Sequence, residues 1–244
     1  VVKDSLLAMI GSDHVLNRWS GYDPATDRVR VALLRLYAED GRAPTTGAIA
    51  KRAGLSETAV RPLLEDLRRR DLVVLDKERI VGAYPFTDQD TGHRVTLDGR
   101  VLNAMCAVDA LGIGAMTGHD IAIASGCRYC GAPIRITTRD KDQALAQVEP
   151  RSAVMWQSVR YEGACAANSL CATTAFFCSD DHLSAWRRKQ NADEAGFRLS
   201  IEQGLEAGRA LFGPSLAGLD AAQHLDSDAE TRSISQPVSA DRAP

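Results

Sequence analysis

A chain of 244 residues, 45% hydrophobic and 25% charged, is long enough to bury a substantial core in one domain or two. Its formal net charge of −3 excludes a protein coated in basic surface for nucleic acid, so any such binding has to be local. There is no apolar run of the roughly 18 residues needed to span a membrane and no basic, apolar leader, so a soluble, cytoplasmic protein without membrane contact is expected.

Residues 1–24, with Trp19, Tyr22 and Pro24, read as an amphipathic lead-in closed by a turn. From Thr26 the apolar positions Val29, Ala32, Leu33, Leu36 and Tyr37 recur at helical spacing, and Asp40-Gly41 supplies the stop. A second helix follows Pro44-Thr45-Thr46, where threonine can cap, and breaks at Gly54. Ser56 caps a third, with Val60, Leu63, Leu64 and Leu67 on one face and Pro62 leaving its start open. The alternating segments 72–75 and 80–84, parted by the charged residues 76–79, predict a β-hairpin.

Three helices and a hairpin, with Thr45-x-x-x-Ile49-Ala50-x-x-x-Gly54-Leu55-Ser56-x-x-x-Val60, resemble the winged helix-turn-helix domains of bacterial regulators. A DNA reader needs basic or amide side chains at the start of the second helix of that motif. Glu57, Thr58 and Arg61 stand there, and Arg68-Arg69-Arg70 lie at the far end, where a helix dipole favours cations anyway. Nine basic against six acidic residues between positions 42 and 79 leave a structural winged helix at least as favoured as a DNA-binding one.

The second half carries the chemistry. Residues 86–100 read as a hairpin turning at Asp90-Thr91-Gly92, and residues 102–112 as a helix that puts Cys106 and Asp109 on one face. A soft nucleophile and a proton carrier then share a site. Cys171, in Asn-Ser-Leu-Cys-Ala-Thr-Thr-Ala-Phe-Phe, sits in what reads as a buried strand. Two thiols and a carboxyl suit the capture of a soft metal ion, although a cysteine alone in an apolar run more often packs as a small hydrophobe. Strands are expected at 134–137 and 153–158, helical periodicity at 183–186 and again at 195–211, and a disordered tail at the end. Six cysteines in a chain this long are not a disulfide framework; in a reducing compartment they serve as ligands, nucleophiles or packing. His14, His93, His119 and His224 have no companions at ligand or triad spacing, and no phosphate-binding glycine loop, nucleophile elbow or His-Glu-x-x-His occurs.

Cys106-Ala-Val-Asp109 after a winged helix, a Gly-Ala-Pro strand entry behind Cys127, and Cys171 five residues before a Phe-Phe pair together resemble the alkylmercury (organomercurial) lyases. The similarity spans about residues 25–212. It implies an α+β fold, with a lead-in and winged helix over 1–86, a catalytic mixed α/β domain over 87–214 and a tail over 215–244. It also implies that Cys106, Cys171 and Asp109 are catalytic and hold the mercury of substrate and product, and that Cys127 is structural. Protonolysis of the carbon–mercury bond would then need no cofactor; cellular thiols would remove Hg(II), and a mercuric reductase is a candidate acceptor.

Cys130, Cys165 and Cys178 depart from that pattern. Cys127-Arg-Tyr-Cys130-Gly is shaped like a zinc knuckle, and Cys178-Ser-Asp-Asp-His182 adds a thiol and an imidazole four apart where a strand yields to a helix. Together they resemble a treble-clef zinc site of Cys127, Cys130, Cys178 and His182, structural because four protein ligands leave no open position; the alternative is a set of unliganded thiols. Cys165 reads as a small core or loop residue. Two further readings stand beside the lyase: a soft-metal- or thiol-responsive winged-helix regulator, which would need the cysteines but not Asp109, and a lyase of the same scaffold with another substrate.

Overall fold

A computed structural model describes residues 19, 21–162, 165–189, 195–213 and 216; most of the expected lead-in and nearly all of the expected tail lie outside the described residues. Helix α1 (Pro24–Asp40) starts where the Asp23 carboxylate accepts the N–H groups of Ala25 and Thr26, and it ends at Gly41 with φ 73°. Thr45 caps α2 (Thr46–Ala53), which stops at a left-handed Gly54, and Ser56 caps α3 (Glu57–Arg69). Pro62 lies inside α3, so the serine cap fixes the start that the proline leaves open. The three helices close over Val29, Leu33, Tyr37, Ile49, Val60, Leu64 and Leu67, all buried. The expected hairpin follows as β1 (Val73–Asp76) and β2 (Arg79–Ala83).

That hairpin is one end of an eight-stranded antiparallel sheet. The remaining strands are β3 (Phe86–Thr87), β4 (Arg94–Leu97), β5 (Arg100–Ala104), β6 (Ile121–Gly126), β7 (Pro133–Arg139) and β8 (Ala144–Glu149), in the order β1-β2-β3-β5-β4-β6-β7-β8. The expected hairpin over 86–100 does not form. β5 lies between β3 and β4, pairing Phe86 with Ala104 and Val95 with Leu102, and the tight turn is at Asp98-Gly99 instead. Asp98 and Gly99 both take positive φ, which a two-residue hairpin loop requires. β3 thus couples the N-terminal hairpin to the rest of the sheet, and Tyr37 ties the helices to it by stacking on Phe86 and donating to the Asp88 carboxylate at 2.7 Å.

Residues 102–104 belong to β5, and helix α4 (Ala107–Thr117) begins only after Cys106. Nearly every α4 residue is buried, as an all-round apolar helix requires. It contacts β4, β5 and β6 on one side and α7 (Ile201–Phe212) on another. Gly112 and Gly208 let α4 and α7 approach closely: a Cβ on Gly208 would lie 2.7 Å from the Gly112 backbone nitrogen. A three-stranded antiparallel sheet, β10-β9-β11, completes the fold, from β9 (Val154–Ser158), β10 (Ala175–Phe177) and β11 (Gly196–Ser200).

Two expectations change here. Cys171 lies not in a strand but in the short helix α5 (Leu170–Thr173), whose turn is fixed by Cys171 N–H to the Ala166 carbonyl and by the Thr174 hydroxyl to the Leu170 carbonyl. The helix expected over 195–211 starts six residues late, because a capping box between Ser200 and Gln203 sets its beginning at Ile201 and frees β11 to pair with β9. Helix α6 (Asp180–Lys189) follows β10 as expected.

Candidate active site

β5 delivers Cys106 to the end of the sheet, where it becomes the N-cap residue of α4 with fully extended backbone. Asp109 is then the third residue of the helix, and the cap geometry brings the two side chains together: Cys106 Sγ lies 2.9 Å from Asp109 Oδ2. From the other side, α5 presents Cys171 Sγ at 3.6 Å from the same oxygen. The three ligand atoms lie within 4.8 Å of one another and all three residues are buried. The structure therefore brings together the three residues singled out from the sequence.

Their electrostatics differ in useful ways. Burial pushes the Asp109 carboxyl up to about 7, against the pull of hydrogen bonds from both thiols and the Cys106 N–H. Burial also raises the Cys106 thiol, partly offset by a hydrogen bond from Cys171. Cys171 is held well above the usual thiol value, first by that hydrogen bond to Cys106 and then by burial. Both thiols are thus held up by burial, and Cys106, at the helix start, also faces the positive end of the α4 dipole. A carboxyl poised near neutrality, between two thiols, can accept a proton from one group and pass it to another.

Two openings reach Cys171. One is a groove of about 430 Å³ with Thr91, His93, Met105, Arg128 and Ala175 in its walls. The other is a smaller, apolar cleft that also borders Asp109 and is walled by Trp19, Tyr84, Val108, Leu170 and Phe212. Sequence reasoning missed three residues here. His93 is buried, 2.9 Å from the Ser125 hydroxyl, and burial followed by the Arg128 charge depresses it to about 4, so it is neutral at pH 7. Tyr84 Oη and Gln157 Oε1 line the apolar cleft, buried and without a hydrogen-bond partner among the described residues. No spacing links any of them to the thiols in sequence.

The cysteines at 127, 130 and 178 and His182 also converge, each with a ligand atom within 4.8 Å of the others. Cys165 is half-buried in the loop before α5, its carbonyl accepting the Ser169 hydroxyl. His119 pairs with Asp98 at the surface, whereas His14 and His224 lie outside the described residues.

A family model described as MerB: Alkylmercury lyase matches residues 86–213. An alkylmercury lyase of Staphylococcus epidermidis is 31% identical over 179 residues, covering 73% of this chain and 79% of that protein. One of Streptomyces lividans is 28% identical over 186 residues, 76% of this chain and 82% of that protein. Among solved structures, a mercury-bound form of MerB2 superimposes with a TM-score of 0.67 at 26% identity, covering 86% of this chain and 95% of that one.

Proposed function

The chain belongs to the alkylmercury lyase family, and on that premise we propose that Cys106, Cys171 and Asp109 cleave the carbon–mercury bond of organomercurials by protonolysis. The observation that carries this reading is the single carboxylate oxygen within reach of both thiols, 2.9 Å from one and 3.6 Å from the other. Cys106, as thiolate, takes the mercury of R–Hg⁺. Cys171 adds next and yields its proton to Asp109. The electron density from two sulfurs weakens the bond to carbon, Asp109 returns the proton to that carbon, and R–H departs. Cys106 gives up its proton to solvent before capture, so one thiolate and one thiol enter, the Cys171 proton ends on carbon, and Hg²⁺ remains between two thiolates; protons and charges balance. A linear bis-thiolate needs sulfurs about 4.6 Å apart, twice a metal–thiolate bond of roughly 2.3 Å, and the two sulfurs, within 4.8 Å of each other, are close enough to share one ion.

The apolar cleft borders Asp109 and so suits the organic group, whose carbon must meet the carboxyl; the wider groove gives cellular thiols a route to Cys171 and the bound Hg(II). No cofactor is needed for these steps, and a mercuric reductase is a natural acceptor of the product. We assign helices α1–α3 and the β1–β2 hairpin to a winged helix within a unit of residues 1–86 that also takes in the lead-in, with the catalytic part over 87–214. We read that winged helix as structural, because Arg52, Arg61, Arg68, Arg69, Arg70 and Arg79 each pair with a carboxylate and are not presented as a free basic face. No helix among the described residues is long and apolar enough to cross a membrane.

The test is single-turnover release of hydrocarbon from an arylmercury compound in excess thiol. The parent is expected to release it, and Cys106→Ser and Cys171→Ser to fall by at least about a hundredfold while remaining folded. A folded, reduced parent that binds mercury yet releases nothing would remove this reading.

A further inference from the structure

The region outside the catalytic cluster that carries most unused chemistry is the corner where β6, β7, β10 and α6 meet. Cys127 and Cys130 come from the turn between β6 and β7, and Cys178 and His182 from the junction of β10 with α6. Cys130 Sγ and Cys178 Sγ are 3.9 Å apart, Cys127 Sγ and His182 Nδ1 3.8 Å, and Cys178 Sγ and His182 Nδ1 2.9 Å. Four ligands held about 2.3 Å from a zinc ion at tetrahedral angles stand about 3.8 Å from one another; two of these separations match, the Cys178–His182 one is shorter, and all four ligand atoms lie within 4.8 Å of one another. A disulfide needs sulfurs about 2.05 Å apart, and all six cysteines are free.

The backbone around the cluster is arranged in the same sense. Gly131 takes φ 74°, donates its N–H to the Cys127 carbonyl at 2.8 Å, and lets the chain reverse within the knuckle. The N–H groups of Cys178, Cys130 and Tyr129 are directed at the Cys127 sulfur, as in sites where amides stabilise a metal-bound thiolate. Tyr129 packs on the His182 ring, with centroids 5.1 Å apart, and orients the imidazole. Cys127 is buried while Cys130 is exposed, so the cluster is reachable by an ion from solvent yet anchored in the core.

We propose that Cys127, Cys130, Cys178 and His182 bind one zinc ion in a closed, four-coordinate structural site. Three thiolates and an imidazole are a borderline-soft set that zinc matches, and with no open position the ion does no chemistry on substrate. Its consequence is mechanical. The ion staples the β6–β7 turn to the end of β10, and that turn carries Arg128, whose N–H donates to the Phe176 carbonyl and whose guanidinium reaches the Ala172 carbonyl. Ala172 follows Cys171 directly. The metal therefore clamps the groove wall from which the second catalytic thiol projects.

The proposal does not depend on the lyase reading, because its test uses no mercury. Protein purified under reducing conditions from cells grown without mercury is analysed for metals, and the same chain is loaded with Co²⁺ for its optical spectrum. We expect about one zinc per chain, intense thiolate-to-cobalt charge-transfer bands with tetrahedral ligand-field bands, and loss of at least three-quarters of the zinc in Cys130→Ser and Cys178→Ser. Cys106→Ser and Cys171→Ser keep it. Should the Cys130 and Cys178 variants fail to fold, the cobalt spectrum of the parent still decides. A folded parent that carries no zinc, gains none from added Zn²⁺ and shows no thiolate-to-cobalt bands overturns the site; so does zinc that leaves with Cys106 or Cys171 but stays in Cys130→Ser.

Discussion

Asp109, the proton carrier we propose, is also a liability to the fold. In the unfolded chain its carboxyl has the ordinary value near 3.8, and in the folded chain it titrates at about 7. Between those values the folded protein holds a proton that the unfolded chain has lost, so stability is greatest below about pH 4 as far as this group is concerned and falls as pH rises to about 7. His93 acts in the opposite sense: depressed from 6.5 to about 4, it contributes stability that is present above pH 6.5 and lost as pH falls toward 4. Asp109→Asn removes the first dependence and keeps the shape. Denaturant unfolding of that variant should therefore show a stability advantage over the parent that grows from pH 4 to pH 7 by on the order of 1–4 kcal/mol and then stays level. An advantage that is constant across this range would mean that Asp109 is ionised normally and that burial does not tune it. The link between Cys106 and Asp109 was legible because three residues of separation bring side chains together at a helix start as well as inside a helix. Nothing in the sequence brought His93 to the groove or Tyr84 and Gln157 to the cleft, since each arrives by a separate strand or strand end.

Among the elements, those with strong local punctuation were readable and those settled by tertiary pairing were not. Apolar spacing announces α1, Thr45 and Ser56 announce α2 and α3, and Gly41 and Gly54 end the first two; the Asp23 cap of α1 went unread. In contrast, β3 and β4 look like hairpin partners until β5 is placed between them, because strand order inside a sheet leaves no mark on neighbouring residues. The segment of Cys171 has the composition of a strand, but the Thr174 hydroxyl and the Ala166 carbonyl close a helical turn that β-propensity does not register. The α4–α7 contact is the element-level feature that holds the helix carrying Asp109 and capped by Cys106. Gly208→Ala places a methyl group against the backbone of Gly112, and helices this close cannot part without moving Cys106 and Asp109. It should cost about 1–3 kcal/mol and lower the single-turnover rate, read by thermal melting and hydrocarbon release. An unchanged melting temperature would show that the two helices have slack.

Across the whole molecule, the helical N-terminal unit is wired to the site through one buried carboxylate. Asp71, in a left-handed turn after α3, accepts the Tyr161 hydroxyl at 3.0 Å and the Ala166 N–H at 2.9 Å, and the Ala166 carbonyl in turn receives the N–H of Cys171. The three N-terminal helices thereby brace the loop that leads to Cys171, an argument for a structural role that charge counting could not supply. Asp71→Ala should lower stability by about 1–3 kcal/mol and slow turnover, whereas Asp71→Asn, which keeps an acceptor and tolerates the left-handed turn, should recover most of both. Equal losses in the two variants would point to the charge of Asp71 and not to its hydrogen bonds.

The central claim is that one carboxyl between two thiols delivers the proton that releases the hydrocarbon. Its most direct test follows Asp109→Asn with two readouts on the same sample: mercury bound per chain after mixing with an arylmercury compound, and hydrocarbon released in a single turnover. The account predicts near-parental mercury capture through Cys106 with release slowed about 10²- to 10⁴-fold. Release at the parental rate by a folded Asp109→Asn chain would contradict it, because the proton would then have to come from elsewhere.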